Sequence, residues 1–249
     1  MKLKQRLSDT QDRLANFIVT VPSAVVTQAL AAAGADSLII DIEHGAVDYG
    51  SAHAMIAATH GYNCAALVRI AENTDAQVKR ALDVGAQGIV FPLIETAEQA
   101  SWAVSSLRYP PHGRRTFGPF IAHSFEGVPL AEYANHIDDT LTCCLLVETV
   151  KGVENIEQIC AVPGIDIIIP AAFDLSTSLG IPGQFEAPAF LEALATIEAA
   201  AQAAGIPMGG NAFSPEQADV LFAKGYRLLG GFDVLMLKAG VATLKGWCA

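Results

Sequence analysis

What is scarce in this 249-residue chain narrows its possibilities first. Charged residues make up only 16% and aromatics 7%, against 52% hydrophobic residues. Basic residues are the scarcer charges, with 15 Lys and Arg against 26 Asp and Glu, for a formal net charge of −11. A phosphate-backbone binder needs a basic face. The few Lys and Arg gather into no stripe, so nucleic acid is excluded as a partner. No apolar run approaches the ~20 residues that span a bilayer. The opening MKLKQRLSDTQDRLANF also lacks an apolar segment of signal-peptide type. We therefore expect no membrane partner and a cytoplasmic location. Cys64, Cys143, Cys144, Cys160 and Cys248 are odd in number and form no CxxC pair. That pattern suits reduced, mostly buried thiols rather than a disulfide framework or a zinc site.

What the chain does have is alternation. Apolar, β-rich runs recur at 16–21, 37–41, 65–70, 88–92, 143–148, 166–170, 206–210 and 227–232. Several, such as SLIID and CCLLVE, are apolar without a period of two, as expected of strands covered on both faces. Between them lie Ala-rich helical patterns that stop at Gly34, Gly85 and Gly205, the residue type that favours the position after a helix end. About eight βα units in this length predict a (β/α)8 TIM barrel, kept as one domain over 1–249. A doubly wound open sheet is the runner-up. It would ordinarily carry a Gly-rich phosphate loop after its first strand, and TVPSAVV is not one. The long irregular connection at about 105–140, with RYPPHGRRTFGPF, is of a length that tends to serve function or contacts.

In such a barrel, chemistry sits at the C-terminal ends of the strands. Asp41 and His44 follow the second run, Arg69 ends the third, Glu148 ends the fifth and Asp174 follows the sixth. A lone strand-end carboxylate is as often a helix cap. Glu148 and Asp174 on adjacent strands, however, make a hard-oxygen site suited to Mg²⁺ or Mn²⁺. Asp41, three residues before His44, could orient its ring, giving a base unit. Arg69 is costly to bury unpaired; it either neutralises the carboxylates or holds negative charge developing on a substrate. Glu43 reads as a salt-bridge or cap partner. His53, His60, His112, His123 and His136 share no spacing and read as surface or loop residues. Asp83 lies near a helix end where the dipole disfavours a carboxylate, so a partner is expected elsewhere, with a subunit interface as one place for it.

The motifs DIEHGAVD, VRI followed by VKRALDVGAQGIVFPLIETAEQA, YPPHGRR, VETVKGVENIEQICAVPGID and FDLSTSLG, in this order, resemble those of the HpcH/HpaI aldolases. The similarity runs over most of the chain. The resemblance implies a barrel of the phosphoenolpyruvate/pyruvate-domain type, assembled as a homohexamer with sites near subunit interfaces. It implies a class II, divalent-metal-dependent lyase that cleaves or forms a 4-hydroxy-2-oxo acid through pyruvate enolate, releasing pyruvate and an aldehyde. The metal carboxylates fall on Glu148 and Asp174, the base and its partner on His44 and Asp41, and the enolate-binding arginine on Arg69. Asp83 matches a residue given to a neighbouring subunit's site. Ala172 and Phe173 fall, with Arg69 and Asp174, among the substrate-binding positions. Mg²⁺, Mn²⁺ and Co²⁺ are all within range of the metal site.

The chain departs from that pattern in three places. Ala171–Ala172 stand where the family usually has Gly-Pro, Leu146 where it has Gln, and Thr116 where it has Gly. The polar surround thus changes while the five ionisable groups remain. Two other readings stay open: decarboxylation of oxaloacetate or transfer of its enolate, as in the similar macrophomate synthase, and a non-catalytic barrel that binds a small acid.

Overall fold

The computed structural model describes residues 2–9 and 12–248. Among them, eight parallel strands close into a barrel in sequence order. They are β1 (Leu14–Val19), β2 (Ser37–Asp41), β3 (Ala65–Arg69), β4 (Gly88–Phe91), β5 (Thr142–Val147), β6 (Ile167–Pro170), β7 (Met208–Asn211) and β8 (Tyr226–Phe232). The helices are α1 (Leu3–Leu7), α2 (Ala24–Ala32), α3 (Tyr49–Thr59), α4 (Asp75–Asp83), α5 (Ala97–Leu107) and α6 (Tyr133–Ile137). They continue as α7 (Val150–Glu154), α8 (Ile156–Cys160), α9 (Ala172–Ser178), α10 (Pro188–Ala203), α11 (Pro215–Ala223) and α12 (Asp233–Trp247). The expected (β/α)8 barrel is therefore the fold, and each expected strand overlaps an observed one.

Strand burial explains the unbroken apolar runs: every residue of β2, β4 and β5 is buried. Alternate residues face two different cores. Ile39, Leu67, Val90, Cys144, Leu146, Ile167 and Leu228 fill the barrel interior, with Leu3 and Leu7 of α1 packed against them. The outward set, including Ile40, Val68, Ile89, Phe91, Leu145 and Ile168, packs beneath the helices. Helix ends follow local chemistry. Ser23, Asp48, Thr74, Thr96, Thr149 and Ser214 each accept a backbone N–H at a helix start. Gly34, Gly85 and Gly205 take positive φ just past α2, α4 and α10. Four cysteines are buried, Cys248 is exposed, and all five are free; burial pushes the Cys64 thiol up to about 12.

The 105–140 connection is irregular but held. Arg114 and Arg115 reach Asp75 and Asp83, at the two ends of α4, with N–O distances of 2.6 and 2.9 Å. Asp138 accepts the Tyr109 N–H. Glu126, with its side chain 8% exposed, accepts from Lys2 Nζ (2.8 Å) and lies 3.0 Å from His136 Nε2. His60 stacks on Phe125 beside it, a packing role that its sequence position did not announce. Burial works to raise the Glu126 carboxyl, but the Lys2 and His136 hydrogen bonds and charges outweigh it and hold it below the ordinary value. Glu126 therefore stabilises the fold above the unfolded glutamate range, and that contribution is lost as pH falls through its depressed folded value. Glu126→Gln is expected to cost about 1.5–3 kcal/mol near neutrality, with the difference from wild type vanishing in acid. Urea unfolding at a series of pH values checks this.

Candidate active site

The C-terminal rim of the barrel collects the charges because strands β2, β3, β5 and β6 all end there. Asp41 and Arg69 are register partners on adjacent strands. Arg69 Nε donates to Asp41 Oδ1 (2.9 Å) and Nη2 to Oδ2 (2.6 Å), a two-pronged pair with Asp41 fully buried. Asp41 Oδ1 also accepts the backbone N–H groups of Glu43 and His44. These bonds fold DIEHG into a tight turn. Gly45 is needed at its end, because a Cβ there would run into the Asp41 carbonyl and the Thr20 backbone. The last residue of the motif, Asp48, caps α3 through the Ser51 N–H (2.7 Å). One short stretch thus holds both a site and a cap.

Asp41 does not meet the His44 ring in the way its spacing suggested. Its carboxylate is taken up by Arg69 and two backbone donors. The His44 side chain is 66% exposed, and its Nε2 lies 3.8 Å from Glu43 Oε2. Glu43 in turn lies 3.3 Å from Arg69 Nε. The salt-bridge reading of Glu43 is correct, yet the bridge sits inside the cluster, between the arginine and the histidine.

Glu148, just past β5, is 5% exposed and accepts the Leu93 N–H at 2.5 Å. Leu93 reaches it from a left-handed backbone (φ 51°), which a leucine rarely adopts. Asp174 is exposed in the first turn of α9, after the Ala171–Ala172–Phe173 turn from β6. Burial pushes the Glu148 carboxyl up; the Leu93 N–H opposes this, while the negative charges of Asp174 and Glu43 add to it. Glu43 is likewise raised by burial, against the pull of Arg69 and His44. Arg69 stays charged although burial works against it, because the Asp41 hydrogen bonds and nearby carboxylates outweigh that cost. Besides the paired Asp41, the rim therefore holds three carboxylates, Glu43, Glu148 and Asp174, that repel one another around one committed arginine.

Among the described residues, no three His, Cys, Asp or Glu side chains stand close enough to cage a metal unaided. Glu148 and Asp174 nonetheless fit a hard cation that takes one or two carboxylates and leaves its other positions to water and substrate oxygens. Their mutual repulsion is what such a charge relieves. Asp83 does not join them. It ends α4, a helix that runs back towards the N-terminal end of the barrel, and it pairs with Arg115 of the same chain (2.9 Å).

Below the rim, a cavity of about 60 Å³ is walled by Ile18, Ile39, Val90, Leu146, Ile169 and Leu228 and touched by Arg69, Ala171, Ala172, Phe173 and Asp174. Asn16 and Asn211 also line it. Neither was singled out by sequence, although a polar residue at an inward position of apolar β1 was a signal for Asn16, which is bound there by Ser37 Oγ (2.7 Å). With Leu146 in its wall, the cavity is apolar beneath a charged rim.

Residues 17–237 match the HpcH/HpaI aldolase/citrate lyase family. The chain belongs to that family. It is 34% identical over 220 residues to the hydroxypyruvate/pyruvate aldolase of Chromohalobacter salexigens, covering 87% of this chain and 83% of that one. A solved HpcH/HpaI aldolase/citrate lyase family protein from Burkholderia cenocepacia J2315 superposes with a TM-score of 0.91, at 32% identity and 99% of both chains. Macrophomate synthase superposes with a TM-score of 0.87, at 30% identity, covering 98% of this chain and 89% of that one. Membership makes this chain an aldolase-type lyase. No helix among the described residues is long and apolar enough to cross a membrane.

Proposed function

We propose that this chain, as a single domain over 1–249, is a divalent-metal-dependent lyase that breaks or forms the C3–C4 bond of a 4-hydroxy-2-oxo acid by way of pyruvate enolate. The observation that carries the reading is the rim itself: a buried arginine beside mutually repelling carboxylates, above an apolar cavity. Glu148 and Asp174 would hold the cation, with Mg²⁺ and Mn²⁺ as the first ions to try and Co²⁺ as the third. When bound, the cation supplies positive charge that draws electrons from the 2-oxo group.

The chain's own residues do the rest. Arg69, fixed in place by Asp41, presents its remaining N–H groups to the oxygen on which negative charge develops. Asp41 thus acts through Arg69. His44, exposed and flanked by Glu43, takes the C4 hydroxyl proton, directly or through one water. The C3–C4 pair then passes into the enolate, the aldehyde leaves, and the returned proton gives pyruvate its methyl group. The backbone of Ala172 and Phe173 borders the substrate's carboxylate side, while the Phe173 ring turns to Phe185. Asp83, remote from the rim of its own chain, would serve a neighbouring copy.

That last point belongs to a homo-oligomer, a hexamer by resemblance and cytoplasmic in location. It is supported by α12, whose one buried residue is Asp233, while Leu235, Met236, Leu237, Val241, Leu244 and Trp247 are all about half exposed or more. In a closed barrel the last helix would ordinarily cover the outer face of β8 and β1. Holding its apolar face in water instead points to a second copy as its cover.

The test is proton–deuterium exchange at the methyl group of pyruvate in D₂O, followed by NMR. Exchange is expected with Mg²⁺ or Mn²⁺, is abolished by a chelator, and falls about 100-fold or more in His44→Ala. Folded protein with bound metal that exchanges nothing would sink the enolate reading.

A further inference from the structure

A second and larger hollow, about 470 Å³, lies between β7 and helices α10 and α11. Its existence follows from sequence. β7 reads MGGN, so Gly210, the glycine that faces Tyr226 and Leu229 on the outer side of the barrel, contributes no side chain to the layer beneath the helices, and α11 has no buried residue. The hollow is walled by Phe185, Phe190, Leu194 and Leu221, with Phe173 and Phe213 at its lips. These two are 52% and 66% exposed. Phe173 meets Phe185 edge to face at 5.0 Å between ring centres, and Phe185 meets Phe190 at 5.4 Å.

The hollow adjoins the central cavity. Strands β6 and β7 share a single register pair, Ile168 with Met208. Ala172 and Phe173, after β6, and Gly210 and Asn211, on β7, line both cavities and so form the boundary that they share. Asp174 is the next residue after Phe173. A group bound in the hollow would therefore begin one residue from the metal carboxylate. Volume and lining also fit a small-molecule pocket, which is typically roughly 300–1,000 Å³, mostly apolar, with a few polar groups. Here those are Glu186, Asn211 and Gln217.

We propose that this hollow is a subsite for an apolar, aryl-sized substituent of the substrate, so that the aldehyde half carries an aromatic ring or a comparable alkyl group. The inference rests on the enolate reading and deepens it. In the bond-forming direction C3 of the enolate attacks the aldehyde carbon. The carbonyl pair passes to its oxygen, which takes a proton, and nothing is oxidised or reduced. The aryl group, covered by Phe173, Phe185 and Phe213, leaves water, and its apolar burial drives the preference.

Condensation of pyruvate with phenylacetaldehyde and with glycolaldehyde, in the presence of Mn²⁺, provides the first test. Wild type is expected to favour phenylacetaldehyde in kcat/KM by about tenfold or more, the size of a modest apolar contact. Leu194→Trp, which fills the hollow from α10, should erase that preference while glycolaldehyde turnover and pyruvate exchange stay unchanged. Phe213→Ala, at an exposed lip, gives a severalfold loss and stands in if the tryptophan disturbs folding. Saturation-transfer NMR with 3-phenylpropan-1-ol, which cannot react, reads the hollow without chemistry. Its signal should vanish in Leu194→Trp and persist in His44→Ala. Preference for glycolaldehyde, alcohol binding unaltered by Leu194→Trp, or alcohol binding that weakens as protein concentration rises would each overturn the proposal, the last by making the hollow an interface between copies. Pyruvate exchange absent while the alcohol still binds in the hollow would defeat the enolate reading and leave the apolar subsite standing.

Discussion

Arg69→Ala is expected to cost the fold about 3–5 kcal/mol and to abolish pyruvate exchange. The stability figure is that of removing one partner from a buried ion pair, and Asp41 is the reason it applies here. That carboxylate is fully buried and receives both prongs of the guanidinium. Without Arg69 it keeps only the N–H groups of Glu43 and His44, and Glu43 loses its own cation at the same moment. In a chain of this size the loss corresponds to a fall in Tm of roughly 6–20 °C. Arg69→Lys restores the charge but not the fork, so it should recover much of the stability and little of the exchange. The double variant Asp41→Asn/Arg69→Met should be more stable than Arg69→Ala, because it leaves no charge of the pair stranded. Urea unfolding of the four proteins decides the matter. An Arg69→Ala protein within about 1 kcal/mol of wild type would mean that Asp41 finds water, and the pair would then not organise the rim.

The contrast between Asp41 and His44 shows what spacing along the chain can and cannot say. Three residues of separation suggested that the aspartate serves the histidine. Its strand neighbour wins instead, because Asp41 and Arg69 end adjacent strands in register, and a bidentate pair in a dry position is stronger than a contact with a ring at the surface. Setting SLIID beside AALVR end to end would have revealed this from sequence. Glu43 was legible as a salt-bridge partner but not as a member of the site, since that depends on how sharply the chain turns at Gly45. Asp83 was expected to find its partner elsewhere, across a subunit interface, whereas Arg115 pairs with it within the chain.

The barrel was legible for a different reason. Parallel strands covered on both faces demand unbroken apolar runs, and β2 and β5 meet that demand at every position. β7 was the least legible strand. Expected at 206–210, it runs Met208–Asn211 and keeps one register pair with β6, because glycines carry no side chain to declare a face. Gly210 borders the hollow beside it, so the weakest element in the sequence lies against a substantial cavity. The 105–140 connection was visible as irregular, whereas its tethers to α4 and to Lys2 depend on pairs far apart in the chain and have no local signature.

Glu148→Gln should separate stability from function more sharply than any other single change. Binding of Mn²⁺ is expected to weaken at least ~100-fold, since even residues that merely support metal ligands cost 10- to 100-fold when lost, and pyruvate exchange should disappear with it. The metal-free protein should nevertheless be at least as stable as wild type. Glu148 is buried, its carboxyl is raised by that burial and by the charges of Asp174 and Glu43, and a neutral amide of the same shape removes that repulsion. The Leu93 N–H, presented from its left-handed backbone, still finds an oxygen in the glutamine. A raised folded carboxyl contributes stability that is present below the unfolded glutamate range and lost as pH rises through the folded value. Metal-free wild type should therefore lose ground to Glu148→Gln as pH rises through that window, and added Mn²⁺ should return the advantage to wild type alone. Thermal unfolding with and without Mn²⁺ across that window, together with calorimetric titration of the metal, measures both halves. A variant that is less stable without metal and unchanged in its affinity would show that Glu148 braces the Leu93 turn and binds no cation.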